Sequence, residues 1–396
     1  MKEETQNQQP EVVTTTEAEV EIETPEQARR KRNWKIAGTV LFIVVLVAII
    51  VYTAVNDFSG ENVSLTRIIE MIGSNWYYLL VLLGIFVFLI LMEAGKVFIM
   101  IGKTTGSYKP GVSFNCAVLG RFYDFITPFG SGGQPFQIYY LARHGVPGGP
   151  AGAIPIGSLF LTQFSFFVCA VVSFIVGIDE TIVPVHLSMQ ILAYVGSFFY
   201  IIVSLVLVVF SFIPKTGYKV IAWGTKVCTK LKICKKPEKW IAKGNRAIDN
   251  NKQNMAIILK SKRVLIIGTL MSFLYVIARA SMPYFALLLF PDALSAAGLT
   301  PSWRLWFEVT KITFFIECMV TIIPTPGNSG AADGTFYGLF LSVLGTVAGA
   351  TFTCMMVWRI FSYYMYLGLG LIVLICVKIV ERRRRKETLL LNAGQQ

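Results

Sequence analysis

The sequence predicts an all-α integral membrane protein with about six full transmembrane helices and two re-entrant helical hairpins of opposite orientation, an inverted repeat. Three observations predict it. Hydrophobic residues make up 54% of the chain and charged residues only 15%, a balance far on the apolar side of a soluble domain. Several apolar stretches exceed the roughly 18 residues that mark a spanning helix. Two apolar segments are each broken by one pattern, T-P-x-x-S-G: Thr127-Pro128-Phe129-Gly130-Ser131-Gly132 and Thr325-Pro326-Gly327-Asn328-Ser329-Gly330. Lipid cannot satisfy the backbone groups a Pro-Gly break exposes, so such breaks survive only inside protein or along a wet cavity. Matched breaks in two halves of a membrane chain point to a transporter's binding site.

In chain order, residues 1–28 form a Glu-rich polar tail with few large apolar residues, expected to be disordered. The apolar run Ile36 to Ala54 follows Arg29, Arg30, Lys31, Arg32 and Lys35. It is longer than a signal-peptide core of about 7–15 residues and carries no small-x-small cleavage site, so it reads as a retained helix. Full spans are expected at about 36–55, 76–101, 152–177, 189–213, 264–290 and 350–378. Segments 113–142 and 307–346 hold the two breaks, and the pieces on either side are too short to span comfortably. Residues 29–380 therefore form one polytopic domain, and 381–396 a basic tail.

Charge sets the orientation. The formal net charge of +13 is concentrated beside membrane segments. The N-terminal flank, the Lys-rich loop 214–263 and the run Arg382 to Lys386 should all be cytoplasmic, while 56–75, 178–188 and 291–303 carry little Lys or Arg and should be outside. Both termini are then inside. The first hairpin enters from the cytoplasmic face and the second from the outer face. The positive charge needs no nucleic-acid partner, because an anionic leaflet attracts it equally well.

Around the first break, Arg121 and Asp124 are three apart and share a helical face. A charge inside a membrane usually faces a wet cavity or a partner. Arg121 can hold a lipid phosphate through its planar fork of donors, or simply pair with Asp124. Thr127 and Ser131 in the break, and Gln134 and Gln137 after it, offer neutral donors and acceptors to a headgroup. Around the second break stand Glu308 with Lys311, then Glu317, and Thr325, Asn328, Ser329 and Asp333. Asp333 either serves substrate or caps the helix it opens. Arg279 and Arg359 lie mid-span, where snorkelling is hard, so each needs an acid, an exposed carbonyl or a phosphate. Glu93 and Lys96 read as a local pair near the interface. Phe164, Phe166, Phe167, Phe198 and Phe199 read as lipid-facing or packing residues.

Enzyme signatures do not appear: no Walker loop, dinucleotide fingerprint or G-x-S-x-G. With two His, seven Cys and no C-x-x-C, a zinc site is not expected, and no cofactor is implied. Cys116, Cys169, Cys318, Cys354 and Cys376 lie in apolar segments and read as small hydrophobes.

Asp124-Phe125-Ile126-Thr127-Pro128-Phe129-Gly130-Ser131-Gly132-Gly133-Gln134-Pro135, with Tyr139-Tyr140-Leu141 and Gly145-Val146-Pro147 after it, resembles the first signature of the lysylphosphatidylglycerol synthase transmembrane-region family. This is the flippase-like membrane domain of bacterial multiple-peptide-resistance factors and their stand-alone relatives. Ile323 to Gly334 resembles the second signature, P-x-P-G-G-x-G-x-x-E, and Trp358-Arg359-Ile360 resembles the arginine-bearing final segment. Asn328 stands where a second Gly is usual, and Asp333 where Glu is usual. The family's soluble aminoacyl-transferase domain has no counterpart in this sequence. The resemblance implies a multi-pass protein of the bacterial cytoplasmic membrane, and lipid translocation rather than lipid aminoacylation. The partner would be a charged phospholipid, an aminoacylated lipid or a glycolipid, and a homodimer is compatible with this reading. Two other readings stay open: a lipid-binding partner that regulates an envelope-lipid enzyme without transporting, and a polyprenyl-lipid transferase.

Overall fold

The computed structural model describes residues 73–177 and 237–393 apart from 321–325, 329–330 and 345–349, together with scattered residues between 191 and 229. The expected tail 1–28, the spans at 36–55 and 189–213, and Thr325 and Ser329 lie outside the described residues or largely so. The described residues are helical, with no strand among them.

Four of their helices are long and apolar enough to cross a membrane: Tyr77–Thr105, Gly148–Val176, Lys262–Leu287 and Ala350–Arg383. Each begins or ends within about four residues of expectation where the sequence supplies a stop. The first, α1 (Tyr77–Thr105), ends on Gly106, whose φ of +70° lets its N–H close back on the Gly102 carbonyl. Helix α2 (Pro110–Ile126) starts with Pro110 at its first position, where no N–H is needed. It ends where Thr127 turns extended ahead of Pro128. A 3-10 turn, Pro128–Gly130, leads into α3 (Gly133–Arg143). Helix α4 (Gly148–Val176) carries Pro155 in its interior and stops at Gly177, φ +74°.

The basic stretch 214–263 is not all loop. Helix α5 (Pro237–Lys260) occupies its second half. Apolar Ile241, Met255, Ile258 and Leu259, at helical spacing, give that helix an apolar stripe. Met255 and Ile258 are buried and pack at Gly157 of α4. The density of lysines in this stretch hid the stripe.

Helix α6 (Lys262–Leu287) is the hub, packing on α1, α4 and α8 and on the last span. A short α7 (Pro291–Ala296) leads to α8 (Trp303–Val320). The second 3-10 turn, Pro326–Asn328, precedes α9 (Ala331–Leu344). The last span is α10 (Ala350–Arg359), a π-helical turn at Ile360–Tyr364, and α11 (Met365–Ala393). Both broken segments therefore fold as helix, tight turn, helix, and the two turns pack against each other. Helix α11 lies so close to α2 that a Cβ on Gly370 would sit 2.5 Å from Phe122.

Large apolar side chains point outward in rows. Leu80, Leu83, Val87 and Leu91 do so along α1, and Ile266, Leu270 and Leu274 along α6. Spacings of three and four put each row on one helix face, and rows this long suit a lipid surface rather than water. Cys116, Cys318 and Cys354 are buried, as small hydrophobes are, while Cys376 is exposed on α11.

Candidate functional site

The two turns meet at the wall of a cavity of about 810 Å³. The first turn contributes Gly130 and Ser131, and the second Gly327 and Asn328. The helices around them contribute Glu93, Arg121, Asp124, Arg279, Glu317 and Arg359.

The first turn is held by its own polar groups. The Thr127 hydroxyl donates to the Tyr123 carbonyl at 2.8 Å and accepts the Gly132 N–H at 2.8 Å. Asp124 Oδ1 accepts the Gly133 N–H at 2.9 Å. Ser131 donates to the Pro128 carbonyl at 3.0 Å. Gln137 reaches the Cys116 carbonyl with its amide at 3.3 Å, passing over Gly120, where a Cβ would stand 2.2 Å from Nε2. These bonds satisfy backbone groups exposed by the break, as a break enclosed in apolar surroundings requires.

The second turn has two left-handed residues in succession, Gly327 at φ +59° and Asn328 at φ +55°. Asn is the residue other than Gly that takes this conformation most readily, so the departure from Gly keeps the turn. The Tyr363 ring covers Gly327 closely: a Cβ there would lie 2.1 Å from Cε2. The Tyr363 hydroxyl donates to the Phe125 carbonyl at 3.4 Å, which ties the last span to the end of α2.

Each cavity arginine meets acids, but not equally. Arg279 lies 3.1 Å from Glu317. Arg359 bonds Asp333 through Nε and reaches the Asn328 carbonyl at 3.4 Å. Arg121 stands 3.9 Å from Glu93 and 4.0 Å from Asp124, with its guanidinium 5.1 Å from the Tyr275 ring centroid. Contacts of that length are too long for hydrogen bonds.

Of the residues singled out from sequence, Arg121, Asp124, Ser131, Gln134, Gln137, Arg279, Glu317, Asn328 and Arg359 line the one cavity. Three do not. Thr127 braces its turn instead. Lys311 pairs with Glu308 at 2.7 Å and donates to the Gly177 carbonyl at 2.6 Å, which ties α8 to the end of α4. Asp333 pairs with Arg359, which does line the cavity, and as the third residue of α9 it sits inside the first turn rather than before it. The sequence called for an acid or an exposed carbonyl at Arg359, but which ones it meets was unforeseen because the acid is 26 residues away.

Sequence reasoning also missed cavity residues. Glu93 and Lys96 do pair, at 2.9 Å, but both are buried rather than placed at an exposed helix end, and Glu93 faces the cavity. Tyr275, Thr162, Gln163 and Phe166 line it as well. Phe166, expected to be ordinary packing, does pack on Phe314 at 5.4 Å but also shows itself to the cavity. The available signal was two charges three apart inside an apolar span, which are costly unless buried in protein.

The family described as the lysylphosphatidylglycerol synthase TM region matches residues 36–370. No curated protein and no solved structure matches the chain.

Proposed function

We propose a function from one premise: the chain belongs to the lysylphosphatidylglycerol synthase transmembrane-region family. Membership gives it a place in the membrane and a lipid-related role. Beyond that, the reading is a transporter that carries a charged lipid headgroup between leaflets while the acyl chains stay in the bilayer. The observation that carries it is the meeting of two broken helices at one cavity holding Arg121, Arg279 and Arg359. Broken-helix pairs place exposed backbone and charge at a transport site. Of these arginines, Arg121 has the most loosely held fork, and a guanidinium fork suits a phosphate. In this reading the hairpins are re-entrant from opposite faces, and the chain neither hydrolyses nucleotide nor transfers an aminoacyl group.

Purified protein in liposomes should speed interleaflet movement of at least one lipid from a panel of anionic, aminoacylated, glycosylated and polyprenyl species, without ATP. Arg121→Lys keeps the charge, loses the fork, and should slow that movement while expression is kept. If no lipid moves faster than in empty vesicles, with ion gradients supplied in either direction, the transport reading fails and the regulatory-partner reading replaces it.

A further inference from the structure

We infer that Lys96 is a positioning residue that keeps Arg121 open to phosphate by holding Glu93 back from it; this rests on the anion-binding role proposed above. Lys96 has no exposed surface and does not line the cavity. It therefore cannot meet a headgroup itself, and any part it plays must pass through a neighbour.

Two carboxylates flank Arg121, yet neither closes on it. Each is held by other donors. Asp124 is engaged by the Gly133 N–H at 2.9 Å. Glu93 takes the Ser158 hydroxyl on Oε1 at 3.0 Å and faces the Lys96 ammonium through Oε2 at 2.9 Å. Lys96 is in turn fixed by a hydrogen bond to the Thr162 hydroxyl. Glu93 Oε2 thus stands 2.9 Å from Lys96 and 3.9 Å from Arg121. Arg279 and Arg359 have no comparable arrangement: each has an acid in direct contact.

The physical consequence follows from the low dielectric of a protein interior, where attraction between charges grows steeply as they approach. Without Lys96, Arg121 is the nearest cation left to Glu93, and only 3.9 Å separates them. The carboxylate then closes on the guanidinium, and donors that would grip a phosphate are spent inside the protein. With Lys96 present, the ammonium offsets Glu93 and the fork stays available.

The test uses the full chain in detergent and two readouts. One is modification of Arg121 by phenylglyoxal, followed by peptide mass spectrometry. The other is calorimetric binding of dihexanoyl phosphatidic acid, a bare phosphate headgroup. Lys96→Met should slow Arg121 modification about fivefold and weaken phosphatidic acid binding about tenfold, on the scale of a lost charge-assisted contact. Lys96→Met/Glu93→Gln should restore both to within about twofold, because it removes the competing acid. Should Lys96→Met fail to fold, Ser158→Ala frees one oxygen of Glu93 at the loss of a single hydroxyl and should slow modification about twofold. Unchanged Arg121 reactivity in these variants, or a double variant no better than Lys96→Met, overturns the inference. Reactivity that shifts as expected while the wild type binds no phosphatidic acid supports the role of Lys96 and sinks the anion-binding reading beneath it.

Discussion

Asn328 holds a left-handed conformation, φ +55°, that most side chains resist. Its side chain is not needed to grip Arg359, since the contact is through its backbone carbonyl. Asn328→Gly should therefore fold as well as the wild type, while Asn328→Val should lose about 1–2 kcal/mol, the strain of the left-handed region, read as a lower unfolding temperature in detergent. Asp333 makes the opposite kind of contribution, through charge. It faces Arg359 with side chains only 7% and 5% exposed, and removing one partner of a buried pair costs about 3–5 kcal/mol. Asp333→Asn should lower the unfolding temperature markedly, and Asp333→Asn/Arg359→Gln should recover part of the loss. Equal stability of Asp333→Asn and wild type would mean that the charge of Asp333 is not needed beside Arg359. The sequence showed that Arg279 and Arg359 needed partners. It could not show which acids these were, because Glu317 and Asp333 are brought in by chain folding rather than by helical spacing.

At the scale of elements, both broken segments were legible because proline, glycine and threonine act locally. Thr127 and Pro128 end α2 where the pattern said the helix should stop. Closeness of approach was not legible. A Cβ on Gly133 would stand 2.3 Å from Asp124 Oδ1 and 2.6 Å from the Gly120 carbonyl. Gly133→Ala should push Asp124 off the Gly133 N–H and unseat the turn, costing about 1–3 kcal/mol as overpacking does. A circular-dichroism melt of the purified variant checks it, and an unchanged melt would mean that the turn has slack. The π-helical turn at Ile360–Tyr364 was equally hidden, since no residue type marks the one-residue insertion that makes it. It sits directly after Arg359 and carries Tyr363 onto Gly327. The same holds for the depth of Glu93 and Lys96. Spacing gave their pairing, while burial depended on α4 and α6 packing over them.

For the whole molecule, the long apolar spans and the outward rows of leucine and isoleucine agree on a membrane environment. Sidedness comes from a different source, the lysines and arginines beside the spans. On the positive-inside rule 214–263 is expected in the cytoplasm, and in the transport reading proposed above the two hairpins then enter from opposite faces. Both turns reach one cavity. On a cysteine-free background, Ser131→Cys and Asn328→Cys should both react with a membrane-impermeant maleimide, because both residues line the cavity. A transporter that alternates should also let the accessible side change. Cysteines at both positions should label from one face in the absence of lipid substrate, and labelling from the other face should rise when substrate is supplied. A cysteine at Lys239 fixes which face is which, and its labelling in intact cells would reverse the orientation. Labelling of both turn cysteines from one face under every condition would rule out alternating access. The cavity would then be a lipid-binding pocket open to a single leaflet, as the regulatory-partner reading requires.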